Sequence, residues 1–365
     1  MSTRFGKFVL SKHFSILFLI LMPLAVLVTA WQTEWAISFL LGRSHIWGIA
    51  YIIQILLAVL SVAYDRAVKV KRRRVTCVVK LLTCFLLYDI MLVVPWFVIS
   101  RIIPAPEMLE ATATLVLIFA SVVLVIAGYR NTKNVVTRKY EISVEGIKNT
   151  YRIALISDLH LGIFVREDHV RKVVQSINAM KPDVVIIAGD IIDVDHSVLN
   201  DRQALNAVSR QFQKLTSKSG TYLVLGNHDP SKDNRAFRKF IKSRNICLLN
   251  NKAVELSEFI LAGRTDAANN ERKQIREILT GAKCEKPVIL VDHDPQGILE
   301  AQQYGIPLVL CGHTHKGQFW PMDFFTKMGE WRTLLLRAGK LWKHTSHYFF
   351  RCRVFQSAPA CWQRQ

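Results

Sequence analysis

The chain has 365 residues, with 48 Lys and Arg against 28 Asp and Glu, a formal net charge of +20, and 51% hydrophobic residues. That length leaves room for one sizeable domain and a second unit. Seven scattered cysteines with no CxxC pair call for no disulfide framework and fit a reducing or redox-indifferent compartment. So basic a balance suggests nucleic acid when taken alone. The cations, however, gather beside apolar runs, so membrane topology explains them better and no nucleic-acid partner is expected.

Four apolar segments near the amino terminus are each about the length a helix needs to cross a bilayer, roughly 20 residues. They run over 14–31, 46–64, 78–100 and 112–129. Helices of a soluble bundle would carry a polar face every turn, and "SILFLILMPLAVLVTA" has almost none. No small-residue cleavage site follows the first segment, so it does not read as a removable signal peptide. Basic residues cluster before the first span (Arg4, Lys7, Lys12), between the second and third (Arg66 to Arg74) and after the fourth (Arg130, Lys133, Arg138, Lys139). The other two connections hold only Arg43 and Arg101. Positive flanks favour the cytoplasmic side, which predicts a multi-pass protein with both termini and the following domain inside. "KVKRRR" has a second reading as an anionic-lipid patch. Lys80 and Asp89 fall inside the third span. Lys80 is near enough to an end to snorkel, and one Asp does not make a transporter.

From a basic linker over 130–140 onward, short β-branched segments alternate with amphipathic ones, which predicts a layered α/β domain over 141–322. Strands are expected at Arg152–Ser157, Val184–Ala188, Tyr222–Leu225, Val288–Val291 and Pro307–Leu310. Glu141–Val144 and Lys252–Ala262 look like additional edge or antiparallel strands. Helices are expected at Asp168–Met180, Val198–Leu215, Ser231–Ser243, Asn270–Leu279 and Gln296–Tyr304.

In open α/β sheets, functional groups collect just past the carboxyl ends of strands. Five strand ends here deliver Asp, Asn or His: Asp158 and His160; Asp190; Asn227, His228 and Asp229; Asp292, His293 and Asp294; His313 and His315. Any one of these is an ordinary polar residue. Five arriving in order are hard to obtain by accident. Imidazole and carboxylate suit borderline divalent ions such as Zn²⁺, Mn²⁺ and Fe²⁺. Asp158, His160, Asp190, Asn227, His293, His313 and His315 are enough donors for two ions if one carboxylate bridges. A pair of ions about 3.5–4 Å apart clamps a phosphoryl group and activates water. Residues i and i+2 of an extended segment share a side, so Asp158 and His160 are expected to reach one ion together, and His313 and His315 to do likewise or to straddle two neighbouring ions. Gly189, Gly226 and Gly312 precede three of the clusters and let backbone approach closely.

"SDLH", "GD", "GNHD", "DHDP" and "CGHTH", in that order, resemble the blocks of the calcineurin-like metallophosphoesterases, over about Tyr140 to Pro321. "SDLHLG" and "GHTHKGQ" are similar to its bacterial membrane-attached members. The resemblance implies a β-sandwich flanked by helices and two divalent ions, with Mn, Zn or Fe left open. It implies that Asp158, His160 and His315 hold the first metal, that Asn227, His293 and His313 hold the second, and that Asp190 bridges. His228 would face the substrate and protonate the leaving oxygen or stabilise the phosphoryl charge. Asp229 would orient it. The implied activity is hydrolysis of a phosphodiester, phosphomonoester or pyrophosphate by a metal-bound hydroxide. A membrane anchor makes a lipid-linked phosphate ester plausible and membrane lipids natural partners. A soluble nucleotide is the alternative substrate. A catalytically inactive metal-dependent sensor or scaffold is the alternative function, disfavoured because the ligand set is complete.

After residue 322 the resemblance stops. Trp331 to Gln365 hold seven basic and seven aromatic residues and no Asp or Glu. A shifted reading frame late in the gene is the favoured explanation, a basic-aromatic tail lying on the membrane the other.

Overall fold

A computed structural model describes residues 12–42, 48–67, 73–280, 285–313 and 315, with the side chains of 12–20 and 65–67 outside that description. Most of the basic flanks before the first span and between the second and third, and the whole atypical tail, lie outside the described residues. The chain divides after Arg130 into two compact units.

The first unit is helical: α1 Lys12–Leu40, α2 Ile49–Ala67, α3 Arg73–Ile102 and α4 Glu107–Asn131. One helix overlaps each expected span, the second only from Ile49 onward, and α3 and α4 are long and apolar enough to cross a membrane. The segment Ile49–Tyr64 is a shorter apolar helix. Helix α1 runs nine residues beyond the expected end at Trp31, through a polar stretch. That stretch is held by partners within the unit. Gln32 Nε2 donates to Glu110 Oε1 at 3.0 Å and to Thr114 Oγ1 at 3.2 Å. Glu34 accepts the backbone N–H groups of Gly48 and Ala50 at 3.2 and 3.1 Å, capping the start of α2. Glu110 also accepts from Ser100 and Arg101. Asp89 is buried and accepts from Gln54. The outward positions are apolar, as at Val98, Ile99, Val116, Phe119 and Ile126.

Among the described residues, the second unit is built on two four-stranded sheets. The first is all parallel, in the order β1 (Ile153–Ile156), β2 (Val184–Ala188), β3 (Thr221–Val224), β4 (Ile246–Leu248). The second holds β5 (Lys252–Glu255), β6 (Ile260–Arg264), β7 (Val288–Asp292) and β8 (Leu308–Leu310). Its β5–β6 pair is antiparallel, and β6–β7 and β7–β8 are parallel. All five residues of β2 are buried, the near-continuous apolar run of a strand covered on both faces.

Alternation sends each strand's side chains two ways. Ala154, Ile156, Val185, Ile187 and Leu223 pack beneath α5 (Glu167–Ala179), α7 (Arg202–Phe212) and α8 (Arg235–Lys242). Leu155, Val184, Ile186, Tyr222 and Val224 meet Leu261, Ile289, Val291, Leu308 and Leu310 of the second sheet. Ala262, Leu290 and Val309 face α9 (Ile275–Leu279) and α10 (Ile298–Gln303). The expected β-sandwich between helices is present.

Some boundaries differ from expectation. Glu141–Val144 forms no strand, although Ile142 and Val144 pack against the core between the sheets. The apolar stretch Lys252–Ala262 is a hairpin, because Ser257 and Glu258 break it and Leu256 N–H closes the turn on Phe259 O at 2.9 Å. Asp201 splits the helix expected at Val198–Leu215 into a short α6 (Ser197–Asn200) and α7; its carboxylate accepts from Ala204 N–H at 3.0 Å and starts the second piece.

Candidate metal centre

Parallel strands bring their carboxyl ends to one edge, and the expected donors leave the sheets there. The loop after β1 is locked to the loop after β2: Asp158 N–H donates to Gly189 O at 3.0 Å, His160 N–H to Asp190 O at 2.9 Å and Leu161 N–H to Ile191 O at 2.9 Å. Leu159 and Leu161 are fully buried, so the side chains of Asp158 and His160 are left facing the site. From the second sheet, Gly312 N–H donates to His293 O at 3.1 Å, and His313 N–H reaches across to both oxygens of Asp158 at 3.0 and 3.1 Å.

The donors converge in two groups. Asp158, His160 and His315 offer atoms all within 4.8 Å of one another, and so do Asp158, Asp190 and His293. His315 Nε2 lies 3.4 Å from Asp158 Oδ1 and 3.2 Å from His160 Nε2. His293 Nε2 lies 3.2 Å from Asp190 Oδ2 and 4.0 Å from Asp158 Oδ1. Asn227 Oδ1 and His313 Nδ1 are 3.0 Å apart, and the His313 ring sits 5.2 Å from that of His293. All seven expected metal-binding residues are thus at one rim.

The chemistry of this donor set fits divalent cations. His293 is fully buried, and its Nδ1–H donates to Ala188 O at 2.7 Å, which leaves Nε2 aimed at two carboxylates. Burial alone would lower this imidazole, but the bond and charge of Asp190 and the charge of Asp158 outweigh it and raise it to about 9. Asp190 is buried, which disfavours its charge, yet the His293 bond and charge hold its carboxyl below the usual range. So acidic a pocket draws positive charge to the point between these groups.

The extended geometry expected for the DxH and HxH pairs is not how they converge. Asp158, His160, Asp190, His313 and His315 have φ of 54°, 46°, 51°, 73° and 43°, in the left-handed region. Each segment turns sharply out of its strand. Close approach is real at Gly226, where an added Cβ would stand 2.1 Å from Asp190 Oδ1 and 2.6 Å from its backbone nitrogen.

The expected support of His228 by Asp229 is not formed. Asp229 accepts Ile192 N–H and Gly226 N–H, both at 2.9 Å, and so ties the loop after β3 to the loop after β2. Desolvation of that carboxyl, only partly offset by the two bonds, raises it to about 7. His228 Nδ1 is buried and has no hydrogen-bond partner among the described residues. The carboxylate near His228 is Asp193, grouped with His160 and His228 within 4.8 Å. Its Oδ1 is 3.7 Å from His160 Nδ1. Sequence reading passed over Asp193, although "GDIID" places a second carboxylate three residues past Asp190. It also passed over His196, whose Nε2 meets His228 O at 3.1 Å, and Arg272, which clamps Asp292 behind His293.

A profile of the family described as calcineurin-like phosphoesterase matches residues 151–317. An uncharacterized metallophosphoesterase of Aquifex aeolicus is 30% identical over 207 residues, covering 54% of this chain and 77% of the relative. The chain belongs to the calcineurin-like phosphoesterase family. An uncharacterized metallophosphoesterase of Campylobacter jejuni is 30% identical over 220 residues, 59% of this chain and 57% of its own length. A Bos taurus protein named transmembrane protein with metallophosphoesterase domain is 32% identical over 194 residues, 48% of this chain and 42% of its own. This chain spans between 51% and 57% of the first three curated relatives it matches.

Proposed function

We propose that this protein is a membrane-anchored metal-dependent phosphoesterase. The observation that carries the reading is the meeting of Asp158, His160, Asp190, His293 and His315 at one rim, with Asn227 and His313 beside them. Asp158, His160 and His315 would hold one divalent ion, Asn227, His293 and His313 the other, with Asp190 shared. Bound there, Mn, Zn or Fe would supply Lewis acidity toward phosphoryl oxygen and lower the pKa of water. The residues around them do the rest. Ala188 O fixes the tautomer of His293. Asp190 Oδ1 accepts His228 N–H at 2.9 Å, which sets the backbone from which the His228 ring reaches substrate. His228 would donate a proton to the leaving oxygen, or a hydrogen bond to the phosphoryl group. Asp193, close to both His160 and His228, outweighs the desolvation of His160 together with Asp190 and favours its protonated form.

The bond cleaved would be a phosphodiester, phosphomonoester or pyrophosphate. Long apolar helices with outward Val, Ile and Phe favour anchoring in a bilayer. Four spans with the site on the cytoplasmic face would satisfy the basic flanks, and an anchored site would meet lipid-linked phosphate esters first. A soluble nucleotide is the second substrate class.

The test is hydrolysis of a chromogenic phosphodiester by the purified full chain with Mn²⁺, with bound metal quantified in parallel. Turnover should vanish with chelator and return with metal. Asp190→Asn and Asn227→Ala should lose turnover and metal while the circular dichroism spectrum stays. A folded, metal-loaded chain inert toward diesters, monoesters and pyrophosphates would favour the sensor or scaffold reading instead.

A further inference from the structure

The helical layer over the first sheet carries charge unevenly. On α5, acids and bases are mixed and engaged: Arg171 pairs with Asp168 at 2.6 Å, and Lys172 donates to Lys133 O at 2.9 Å. Helix α8 is different. Phe237, Phe240 and Ile241 are buried, while Arg235, Arg238, Lys239 and Lys242 are all exposed. Those four stand at i, i+3, i+4 and i+7, one stripe on one face. None has an ion-pair partner among the described residues, and α8 contains no Asp or Glu. The neighbouring α7, whose Phe212 ring packs 5.6 Å from that of Phe240, also lacks an acid. Arg210 on α7, and Lys214 just after it, are exposed and likewise unpaired among the described residues.

Folding does not explain this stripe. Like charges at i, i+3 and i+4 repel and weaken a helix. Lys239 and Lys242, in the last turn, complement the helix dipole, but Arg235 and Arg238 do not, Arg235 opposing it from the first turn. Phe237, Phe240 and Ile241 already secure α8 to the sheet. Six cations without an opposing acid therefore fit a counter-charge from outside the chain.

We propose that the exposed face of α8, extended by Arg210 and Lys214, docks on the anionic headgroups of the bilayer that anchors this protein. The inference rests on the membrane reading above and adds to it a specific surface of the phosphoesterase unit. A lipid surface is favoured over a polynucleotide because the stripe contains no aromatic ring among its cations for bases to stack on. Helix α8 follows the loop bearing Asn227 and His228, and Asn234 caps its start by accepting Phe237 N–H at 3.0 Å. Docking there would hold the loop that carries the His228 ring close to lipid-borne phosphate esters.

The test is lysine footprinting by an acetylating reagent, read by mass spectrometry. The full chain would be reconstituted in nanodiscs of phosphatidylcholine alone, or of phosphatidylcholine with phosphatidylglycerol. Lys239, Lys242 and Lys214 should be protected several-fold in the anionic discs, and the protection should fade with salt. Lys252, exposed on β5 of the other sheet, should react equally in both. Arg238→Glu with Lys239→Glu should abolish protection at Lys242, since each cation near an anionic surface is worth about fivefold in binding. Unchanged turnover of a soluble diester would show that this variant is folded. Equal acetylation of Lys239 and Lys242 in both discs, in an inserted chain, overturns the docking inference and leaves the membrane reading standing. Protection by RNA but not by anionic lipid overturns it too. A chain that inserts in neither disc ends both.

Discussion

Removing Arg272 should destabilise the phosphoesterase unit by several kcal/mol, because its largely buried side chain holds a buried charge. Arg272 grips Asp292 with two bonds, Nη1 to Oδ1 at 2.9 Å and Nη2 to Oδ2 at 2.7 Å. Asp292 is fully buried, and burial raises its carboxyl above the usual range despite the guanidinium. In Arg272→Ala that charge loses its main partner. Stripping one member from a buried pair costs about 3–5 kcal/mol. Arg264 partly compensates, with Nη1 3.7 Å from Asp292 Oδ2, but its other arm is held by Glu300 at 2.6 Å. The lower end, about 3 kcal/mol, is therefore expected. In a unit of this size each kcal/mol moves the midpoint by about 2–4 °C, so the Tm should fall by roughly 6–12 °C. Thermal unfolding followed by near-ultraviolet circular dichroism reads this directly. Adding Asp292→Leu should recover most of the loss, because an apolar residue of similar volume leaves no charge stranded. A single variant within about 1 kcal/mol of the parent would refute the reasoning. So would a double variant no more stable than the single one.

His228→Asn should keep the parent's metal content and lower turnover by about 10²–10⁴, checked by kcat alongside elemental analysis. Asp193→Asn should shift the acid limb of the pH–rate profile downward, because His160 loses a carboxylate that holds its imidazole above the usual range, whereas Asp229→Asn should act mainly on stability. Gly226→Ala should lose bound metal and turnover, since the new methyl overlaps Asp190; titration of metal into the chelated protein reads it. Asp201→Ala removes the cap of α7 and should cost about 1 kcal/mol in urea unfolding at neutral pH. The Ala204 N–H bond, with Arg166 alongside, holds the Asp201 carboxyl below its usual range. Its stabilisation is therefore complete above the unfolded pKa of about 4 and is lost as pH falls through the folded value, so parent and variant should converge in acid.

The layered unit was legible because parallel sheets print themselves on sequence. Val184–Ala188 is apolar at every position and is buried at every position. The arrival of the expected donor residues at one rim was legible for the same reason, since each follows such a run. What escaped depended on contacts between loops distant in the chain. Asp229 was assigned to His228 by adjacency, but neighbours in a turn point apart. The backbone of Ile192, 37 positions away, claims its carboxylate. Asp193 reaches His160 and His228 only because the loops after β1, β2 and β3 are stacked side by side. Strand β4 was missed because three residues, one of them the exposed Cys247, give no pattern. In the helical unit, the extension of α1 past Trp31 was hidden because Gln32 and Glu34 read as a polar exit. They are instead tied to Glu110, Thr114 and the start of α2.

The backbone at the rim joins these points. Five of the seven expected metal-binding residues have positive φ, a conformation that costs an ordinary L-residue about 1–2 kcal/mol. A strand that must end and present its next side chain over the sheet edge has few other ways to turn. Asp, Asn and His are the non-glycine residues found most readily in that region. They are also the residues whose oxygens and imidazole nitrogens suit divalent ions. Ligand chemistry and turn chemistry therefore select the same residues at the same places. The strain is held by the bonds from Asp158, His160 and Leu161 to the neighbouring loop and by the burial of Leu159 and Leu161. The DxH pair was legible from its place just past β1, though its φ angles show that the extended-strand argument for it was not the operative one.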